Sequence, residues 1–345
     1  MFVCDPNIVL RHPISGQDFY LQRVITTMKR LGFKVLILHP QDVKVLSNKM
    51  RILRKGDDLN LHMHYVHLSD ILRSRTLFPK AKHMLYVYQL KDPTWSIYGE
   101  LGYKAFLYLT ATSKLVNYYI TPSHILSKEL GFIVGSENVK VLGPYYPCDE
   151  TLRELLINKK ARDLETKHLE VLYIGRLNIF RIDLTSIIKS LKILANKGFN
   201  IRFRLVSMKE MGLPIQHKIV ELNNLKIELI GRRLKESEKA EIYSKAHILL
   251  FIAKGYSAMR PPLSIIESVC YGVIPVISPI ITEFTSIRDI VIESTDIDTI
   301  VEKLGHIINA FEMLNKRIFT SFKDFYSKER FLRQLLAILS EAYEK

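Results

Sequence analysis

Short apolar runs alternate along the chain with longer segments of helical spacing, and glycine or proline separates them. The clearest case runs from Ile248 to Ser278. There, an apolar run of strand length is followed by a loop that ends in two prolines, and then by a densely apolar segment, Leu263–Cys270. Gly272 ends that segment, and Val273–Ile277 is a second apolar run. The order predicts a strand, a loop, a helix and a strand, which form one parallel crossover unit.

The same alternation extends over both halves of the chain. In the first half, Asp18–Leu31 has helical spacing and lies between two short apolar runs. A second series begins at Val171 with a strand and the predicted helix Leu184–Ala195. This order of elements is typical of a Rossmann-like opening, so the sequence predicts an α/β fold with two parallel sheets. The length of 345 residues agrees with two domains.

The boundary between the domains is predicted where prolines and charges replace the apolar runs. Pro144 and Pro147 precede a charged run, Asp149–Lys167, and this composition is typical of a boundary segment. We expect a first domain over residues 1–150, a second domain over 151–325 and a final helix over 326–345.

The stretch from Met259 to Val276, MRPPLSIIESVCYGVIPV, resembles the signature of family 4 retaining glycosyltransferases, which have the two-domain GT-B fold. That signature carries two glutamates with seven residues between them. The second glutamate falls on Glu267, whereas the first falls on Met259. The Phe-Gly pair of the family falls on Pro261 and Pro262. The stretch therefore resembles the family at its carboxyl end and departs from it at its amino end.

A second part of the resemblance is Gly175-Arg176-Leu177, which matches the family's Gly-Arg-Leu, with Arg181 where the family has lysine. Two guanidinium groups at the carboxyl end of a strand suit a diphosphate. The resemblance implies that Arg176, Arg181 and Glu267 serve catalysis, and that Glu267 holds the ribose of a nucleotide-sugar donor. The donor-binding residues that it implies are Gly175, Arg176, Arg181, Gly231, Arg232, Leu263, Ser264 and Glu267.

The resemblance also implies two Rossmann-like domains that face each other across a cleft, with the last helix packed back on the first domain. The acceptor side is expected in the first domain, at Gly16, His64 and Asp92. Asp92 has a second interpretation as a turn residue before a proline. The histidines around His64 do not predict a metal site, because strand alternation directs His67 to the face opposite His62 and His64.

The chain is strongly basic, with a formal net charge of +15 and a pI near 9.5. Nucleotide phosphates, nucleic acid or an anionic membrane suit such a charge, and so does a solvated lysine-rich surface. The segment Lys44–Lys55 mixes apolar and basic residues, as a membrane-surface helix does and as an ordinary surface helix also does.

No apolar run approaches the roughly 18 to 20 residues of a membrane-spanning helix. The first residues lack the basic start of a signal peptide. The three cysteines, Cys4, Cys148 and Cys270, fit no metal or redox spacing. We therefore expect a cytoplasmic protein, which would be peripheral at an anionic membrane surface if it meets lipid.

From the resemblance we predict a metal-independent, retaining glycosyltransferase that uses a nucleotide-sugar donor and needs no cofactor. Its acceptor stays open, and a lipid-linked or membrane-surface glycan is one candidate. Two alternatives remain. Met259 in place of a glutamate favours a GT-B protein that binds nucleotide or sugar but is impaired in catalysis, and the net charge favours a glycosyltransferase that acts on nucleic acid.

Overall fold

The computed structural model of the chain describes residues 2–4, 16–32, 36–38, 59–62, 68–77, 81–87, 90, 97–175, 182–207, 209–210, 213–214, 218–232, 234–252, 262–278 and 283–344. Two acceptor-side residues, His64 and Asp92, lie outside the described residues, and so does the basic segment Lys44–Lys55.

Strands and helices alternate through the first part of the chain. Serine and glycine delimit the helix His124–Val134 there: the Ser123 hydroxyl accepts the N–H of Leu126 at 3.2 Å, and Gly135 ends the helix with φ +87°. The elements are β1 (Phe2–Cys4), α1 (Gly16–Arg30), β2 (Leu36–Leu38), β3 (Leu59–His62), α2 (Leu68–Leu77), β4 (Lys82–Tyr86), α3 (Ile97–Thr112), β5 (Tyr118–Thr121), α4 (His124–Val134), a 3-10 turn (Ser136–Asn138) and β6 (Val139–Val141).

The second part of the chain has the same alternation and ends in three helices. Aspartates begin three of its helices, because their carboxylates accept backbone N–H groups of the first turn. The elements are α5 (Glu150–Glu165), β7 (His168–Ile174), α6 (Leu184–Asn196), β8 (Asn200–Val206), β9 (Lys209–Glu210), β10 (Leu213–Pro214), β11 (Lys218–Leu222), β12 (Leu225–Ile230), α7 (Glu236–Lys245), β13 (Ile248–Phe251), α8 (Leu263–Cys270), β14 (Ile274–Ile277), two 3-10 segments (Glu283–Ser286 and Arg288–Ile290), α9 (Ile297–Asn309), α10 (Phe311–Tyr326) and α11 (Lys328–Glu344).

Backbone contacts divide the chain into two units. The first unit joins Met1–Tyr145 to Glu329–Lys345, and the second unit is Tyr146–Lys328. The last helix, α11, therefore packs within the first unit, as the resemblance implied. Among the described residues, none of the helices combines the length and the apolar character that crossing a membrane requires.

The first unit is built on six parallel strands in the order β2-β1-β3-β4-β5-β6. Connections between parallel strands are right-handed, so α1, which leads to β2, lies on one face of the sheet. The helices α2, α3 and α4 lead in the other direction along the sheet and lie on the opposite face. Val24, Ile25 and Met28 of α1 share one apolar cluster with Phe331 and Leu335 of α11. The helices α1 and α11 thus cover one face together.

The second unit is built on six strands in the order β11-β12-β8-β7-β13-β14, all parallel except β11 against β12. Helices cover both faces, which is why β7, β13 and β14 are nearly continuous apolar runs. The direction of strand order reverses between β7 and β13. In an open parallel sheet, such a reversal opens a crevice at the carboxyl ends of the two strands.

The boundary between the units lies between Pro144 and Pro147, whereas most of the charged run Asp149–Lys167 forms the helix α5 within the second unit. The Asp149 carboxylate begins the helix by accepting the N–H of Leu152 at 3.0 Å. Residues three or four positions apart form one buried side: Arg153, Ile157, Lys160 and Leu164. The composition was misleading here because two of the charges, on Arg153 and Lys160, are buried and bonded to backbone carbonyl groups.

We predict that Gly272→Ala lowers the free energy of unfolding by about 1–3 kcal/mol. Gly272 has φ +64°, and a Cβ there would lie 2.6 Å from Cγ1 of Ile157 on α5. Gly305→Ala in α9 is the matched control, because its Cβ would meet no atom within 4 Å. That control should be stabilised by about 0.5–1 kcal/mol through helix propensity. Urea denaturation measures both variants, and a Gly272→Ala protein as stable as the wild type would contradict this packing.

Candidate functional site

The candidate site lies at the carboxyl edge of the second sheet, around the reversal between β7 and β13. Gly175 follows β7 directly, and its N–H donates to the carbonyl of Val206 at 3.0 Å. A Cβ at Gly175 would lie 2.8 Å from the Tyr173 hydroxyl, so a side chain would not fit without displacement. The N–H of Ser207 donates to the carbonyl of Ile230 at 3.1 Å. These bonds hold the ends of β7, β8 and β12 together at one edge.

The helix α8 begins at this same edge, because it follows β13. Pro262 is its N-cap, and the carbonyl of Pro262 accepts the N–H of Ile265 at 3.0 Å. Leu263 and Ser264 occupy the first turn, where backbone N–H groups have no acceptor within the helix. Two N–H groups and the positive end of the helix dipole make this turn suitable for a phosphate oxygen.

Glu267 lies one turn further along α8, and its side chain faces α7. The carboxylate is buried, with 6% of the residue exposed. The Lys239 ammonium lies 3.1 Å from Oε1 and 3.0 Å from Oε2. The Tyr243 hydroxyl donates to Oε2 at 3.2 Å. Two residues of α7 thus fix the direction of the carboxylate, and Oε1 keeps room to accept another hydrogen bond.

Burial and charge act in opposite directions on this carboxyl group. Burial raises the pKa of Glu267, the Lys239 cation lowers it, and the neighbouring Glu236 raises it again. Burial, followed by the Glu267 charge itself, raises the pKa of the Tyr243 hydroxyl well above its usual value. Tyr243 therefore stays protonated as a donor, and Lys239 is the cation that favours the ionised carboxylate.

Gly231 and Arg232 follow β12 at the same edge of the sheet. The Arg232 guanidinium makes a two-point contact with Glu238 at the start of α7, at 2.9 and 2.7 Å. That contact raises the pKa of Arg232 and lowers the pKa of Glu238 to about 2. The backbone of Gly231 thus lies at this edge, whereas the exposed charge of Arg232 is directed to Glu238 at the start of α7.

The structure brings Gly175, Gly231, Leu263, Ser264 and Glu267 to this one edge. Two further residues of the predicted site, Arg176 and Arg181, lie outside the described residues, and so does Met259. In the sequence, Arg176 and Arg181 come after Gly175, which follows β7, and Met259 comes between Ile252, which follows β13, and Pro262. On the acceptor side, Gly16 is the first residue of α1.

Sequence reasoning missed Lys239 as a partner of Glu267. Its signal was present, since Lys239 and Tyr243 are four residues apart and therefore share one side of α7. A lysine beside several glutamates in a charged helix has the pattern of a solvated surface residue. Only the packing of α7 on α8 distinguishes this lysine from Lys235 or Lys245, which are exposed.

The sequence matches no described protein family and no curated protein. Its structure, however, is similar to solved structures along almost the whole chain. A glycosyltransferase from Rickettsia africae aligns over 100% of this chain and 98% of its own, with a TM-score of 0.71 and 12% identity. Anabaena HepE, solved in complex with UDP and glucose, aligns over 99% of both chains, with a TM-score of 0.61 and 10% identity.

A third similar structure is a UDP-forming α,α-trehalose-phosphate synthase from Burkholderia vietnamiensis. It aligns over 89% of this chain and 79% of its own, with a TM-score of 0.61 and 10% identity. At this level of identity the likenesses show the fold. The chain has the GT-B fold, with two Rossmann-like units and parallel sheets, and the fold prediction is confirmed.

We predict that Lys239→Met destabilises the protein by about 3 kcal/mol at neutral pH, because it leaves a buried carboxylate without its cation. Losing the cation raises the folded-state pKa of Glu267 further above its value in the unfolded chain. The folded variant then binds a proton more tightly, so its deficit is small in acid and grows as the pH rises through the shifted pKa.

Denaturant titrations at acidic and neutral pH measure this effect. Lys245→Met is the matched control, since Lys245 is an exposed lysine of the same helix and pairs with Glu241 at 2.6 Å. Its loss should cost at most about 1 kcal/mol. The double variant Lys239→Met/Glu267→Gln should recover most of the stability. An equal deficit of Lys239→Met at both pH values would show that the lysine does not act through Glu267.

Proposed function

We propose that the protein is a glycosyltransferase that binds a nucleotide-sugar donor at the carboxyl edge of the second sheet and transfers its sugar. The observation that supports this most directly is the juxtaposition of the β7–β13 reversal, the first turn of α8 and the buried Glu267. HepE, which is similar over 99% of its length, was solved with UDP and glucose. A nucleoside diphosphate, with UDP tested first, is therefore the proposed leaving group.

The proposed roles follow from charge. A departing nucleoside diphosphate carries negative charge that the protein must offset with cations and oriented N–H groups. We assign this task to Arg176 and Arg181, which follow β7 in the sequence, and to the N–H groups of Leu263 and Ser264. Glu267 accepts from a ribose hydroxyl through Oε1, while Lys239 and Tyr243 keep its carboxylate in place.

The finer features of the proposal rest on the sequence resemblance. Retention of configuration, a metal-independent reaction and membership of a family 4-like group all follow from the signature around Glu267. No separate cofactor is needed, because the donor is a substrate. We propose a lipid-linked or membrane-surface glycan as the acceptor, with Gly16, His64 and Asp92 on its side of the site.

Met259 supports a second candidate function. The family signature has a glutamate at this position, and a thioether can neither accept a strong hydrogen bond nor carry charge. Loss of this carboxylate is expected in a protein with the same fold that binds nucleotide without transferring sugar. Donor hydrolysis and transfer assays with radiolabelled nucleotide sugars separate the two functions, since nucleotide binding with neither hydrolysis nor transfer would favour the binding protein.

We predict that Arg176→Ala and Glu267→Gln each weaken nucleoside diphosphate binding by about 1–3 kcal/mol, the scale of a lost charged hydrogen bond. Calorimetric titration measures the affinity, after a thermal-shift panel has identified the preferred base. Arg162→Ala is the matched control, because this exposed arginine lies at the end of α5, beside the amino edge of the sheet. Wild-type affinity in both site variants would refute the assignment, and so would an equal loss in the control.

A further inference from the structure

The outer side of α3 is apolar and exposed. The exposed fractions of Ile97 and Tyr98 are 77% and 86%, and those of Leu101 and Tyr108 are 57% each. These positions, together with Leu109, fall on one side of the helix at 100° per residue. The opposite side of the helix, with Leu107 and Thr110, is buried against the unit. An apolar stripe from Ile97 to Leu109, about 18 Å long at 1.5 Å per residue, thus lies along the outside of α3.

This stripe contains no charged residue. The charged residues of α3 are Glu100 and Lys104, which lie beside the stripe and pair with each other at 2.6 Å. Helices that are apolar on all sides are normally buried. The two other helices on this face of the sheet also carry exposed apolar side chains, since Leu72 of α2 is exposed and Phe132 of α4 is 91% exposed.

Half of the large apolar side chains that are exposed among the described residues belong to α2, α3 and α4. They are eight of sixteen: Leu68, Leu72, Ile97, Tyr98, Leu101, Tyr108, Leu109 and Phe132. The other eight are distributed over the rest of the described chain. A concentration of this kind marks an interaction surface rather than the scattered exposure that any protein has. We call these eight residues the apolar layer.

We propose that the apolar layer of α2, α3 and α4 docks the protein on an anionic lipid surface. Charge favours this occupant over a second copy of the chain. Residues 1–145 contain 19 lysines and arginines against 10 aspartates and glutamates, a formal charge of +9. Two copies of such a unit repel each other, whereas an anionic leaflet attracts basic residues by about 1 kcal/mol each near its surface.

The side chains of the apolar layer suit the membrane interface. Tyrosine combines an apolar ring with a polar hydroxyl and is enriched at the level of lipid headgroups. Tyr98 and Tyr108 lie ten residues apart on α3, with Leu101 between them. Because the other side of α3 is packed in the unit, the helix contacts lipid along its outer side and lies parallel to the surface.

Vesicle flotation tests the proposal with the full chain. The wild type should float with vesicles of equal parts phosphatidylcholine and phosphatidylglycerol, and less so with phosphatidylcholine alone or at high salt. Leu101→Asp/Tyr108→Asp should lower the partition coefficient at least about tenfold, since each side chain loses its apolar burial. Met313→Asp on α10 is the matched control. Met313 is 60% exposed, about as much as Leu101 and Tyr108, but it lies in the second unit.

A second measurement does not depend on flotation. The chain has one tryptophan, Trp95, which precedes α3 by two residues in the sequence. Its emission should shift to shorter wavelength with anionic vesicles in the wild type and in Met313→Asp, and not in the double variant. Thermal unfolding verifies that all three proteins are folded.

Three results would overturn the proposal. The wild type could fail to float with either vesicle, or Met313→Asp could lose binding as strongly as the double variant. Alternatively, light scattering could show a dimer that Leu101→Asp/Tyr108→Asp converts to a monomer, without vesicle binding, and the occupant would then be a second copy. None of these measurements uses a nucleotide, so their outcome is independent of the proposed enzymatic activity.

Discussion

Hydrogen bonds from two buried cations of α5 hold the helices on which the candidate site is built. Arg153 donates through Nε to the carbonyl of Val269 at 3.0 Å, near the end of α8. Lys160 donates to the carbonyl of Tyr271 at 2.6 Å and to that of Tyr243, on α7, at 3.0 Å. Burial lowers the pKa of both cations. Their desolvation is offset because carbonyls at a helix end lack partners and form the negative end of its dipole.

This arrangement orders both ends of α8. At its carboxyl end, carbonyl groups accept hydrogen bonds from Arg153 and Lys160. Its amino end, which carries the opposite partial charge, faces the carboxyl edge of the sheet because the helix follows β13. Tyr243 connects the two ends, since its carbonyl accepts from Lys160 and its hydroxyl donates to Glu267. Its ring also stacks on Tyr271, with centroids 5.5 Å apart. Lys160 therefore helps to position the Glu267 carboxylate through Tyr243, although it is not bonded to that carboxylate.

The lengths of the apolar runs, and the prolines and glycines that separate them, were sufficient to predict the crossover units. The helix Leu263–Cys270 agrees with its prediction to the residue, because a proline and a glycine bound a short, densely apolar segment. Strand ends were predicted less well. The run Val273–Ile277 was expected to be a strand, yet the strand is Ile274–Ile277, and Val273 is buried before it. Apolar composition reports burial, whereas strand ends depend on where the partner's hydrogen bonds stop.

Buried charge was the feature that the sequence could not predict. A lysine in a charged run is ordinarily solvated, and Lys160 is buried only because its acceptors, 83 and 111 residues away in the chain, converge on it. The same holds for Lys239, whose carboxylate partner is 28 residues away. The approximate edge of the site was predictable from the strand-loop-helix pattern, but the cations that orient Glu267 depend on packing between distant segments.

The two units cover their apolar surfaces differently. In the second unit, α10 contributes Phe311, Phe319 and Phe322 to a core that continues through the sheet. In the first unit, the last helix of the chain covers the face that carries α1, so it is not free to cover α2, α3 and α4 on the opposite face. Exposure of the apolar stripe of α3 to water is unfavourable, and no described helix of the first unit covers it. A partner that covers the stripe would remove this unfavourable exposure. If that partner is lipid and the donor binds at the second sheet, attachment and donor recognition belong to separate units, and either can change without disturbing the other's core.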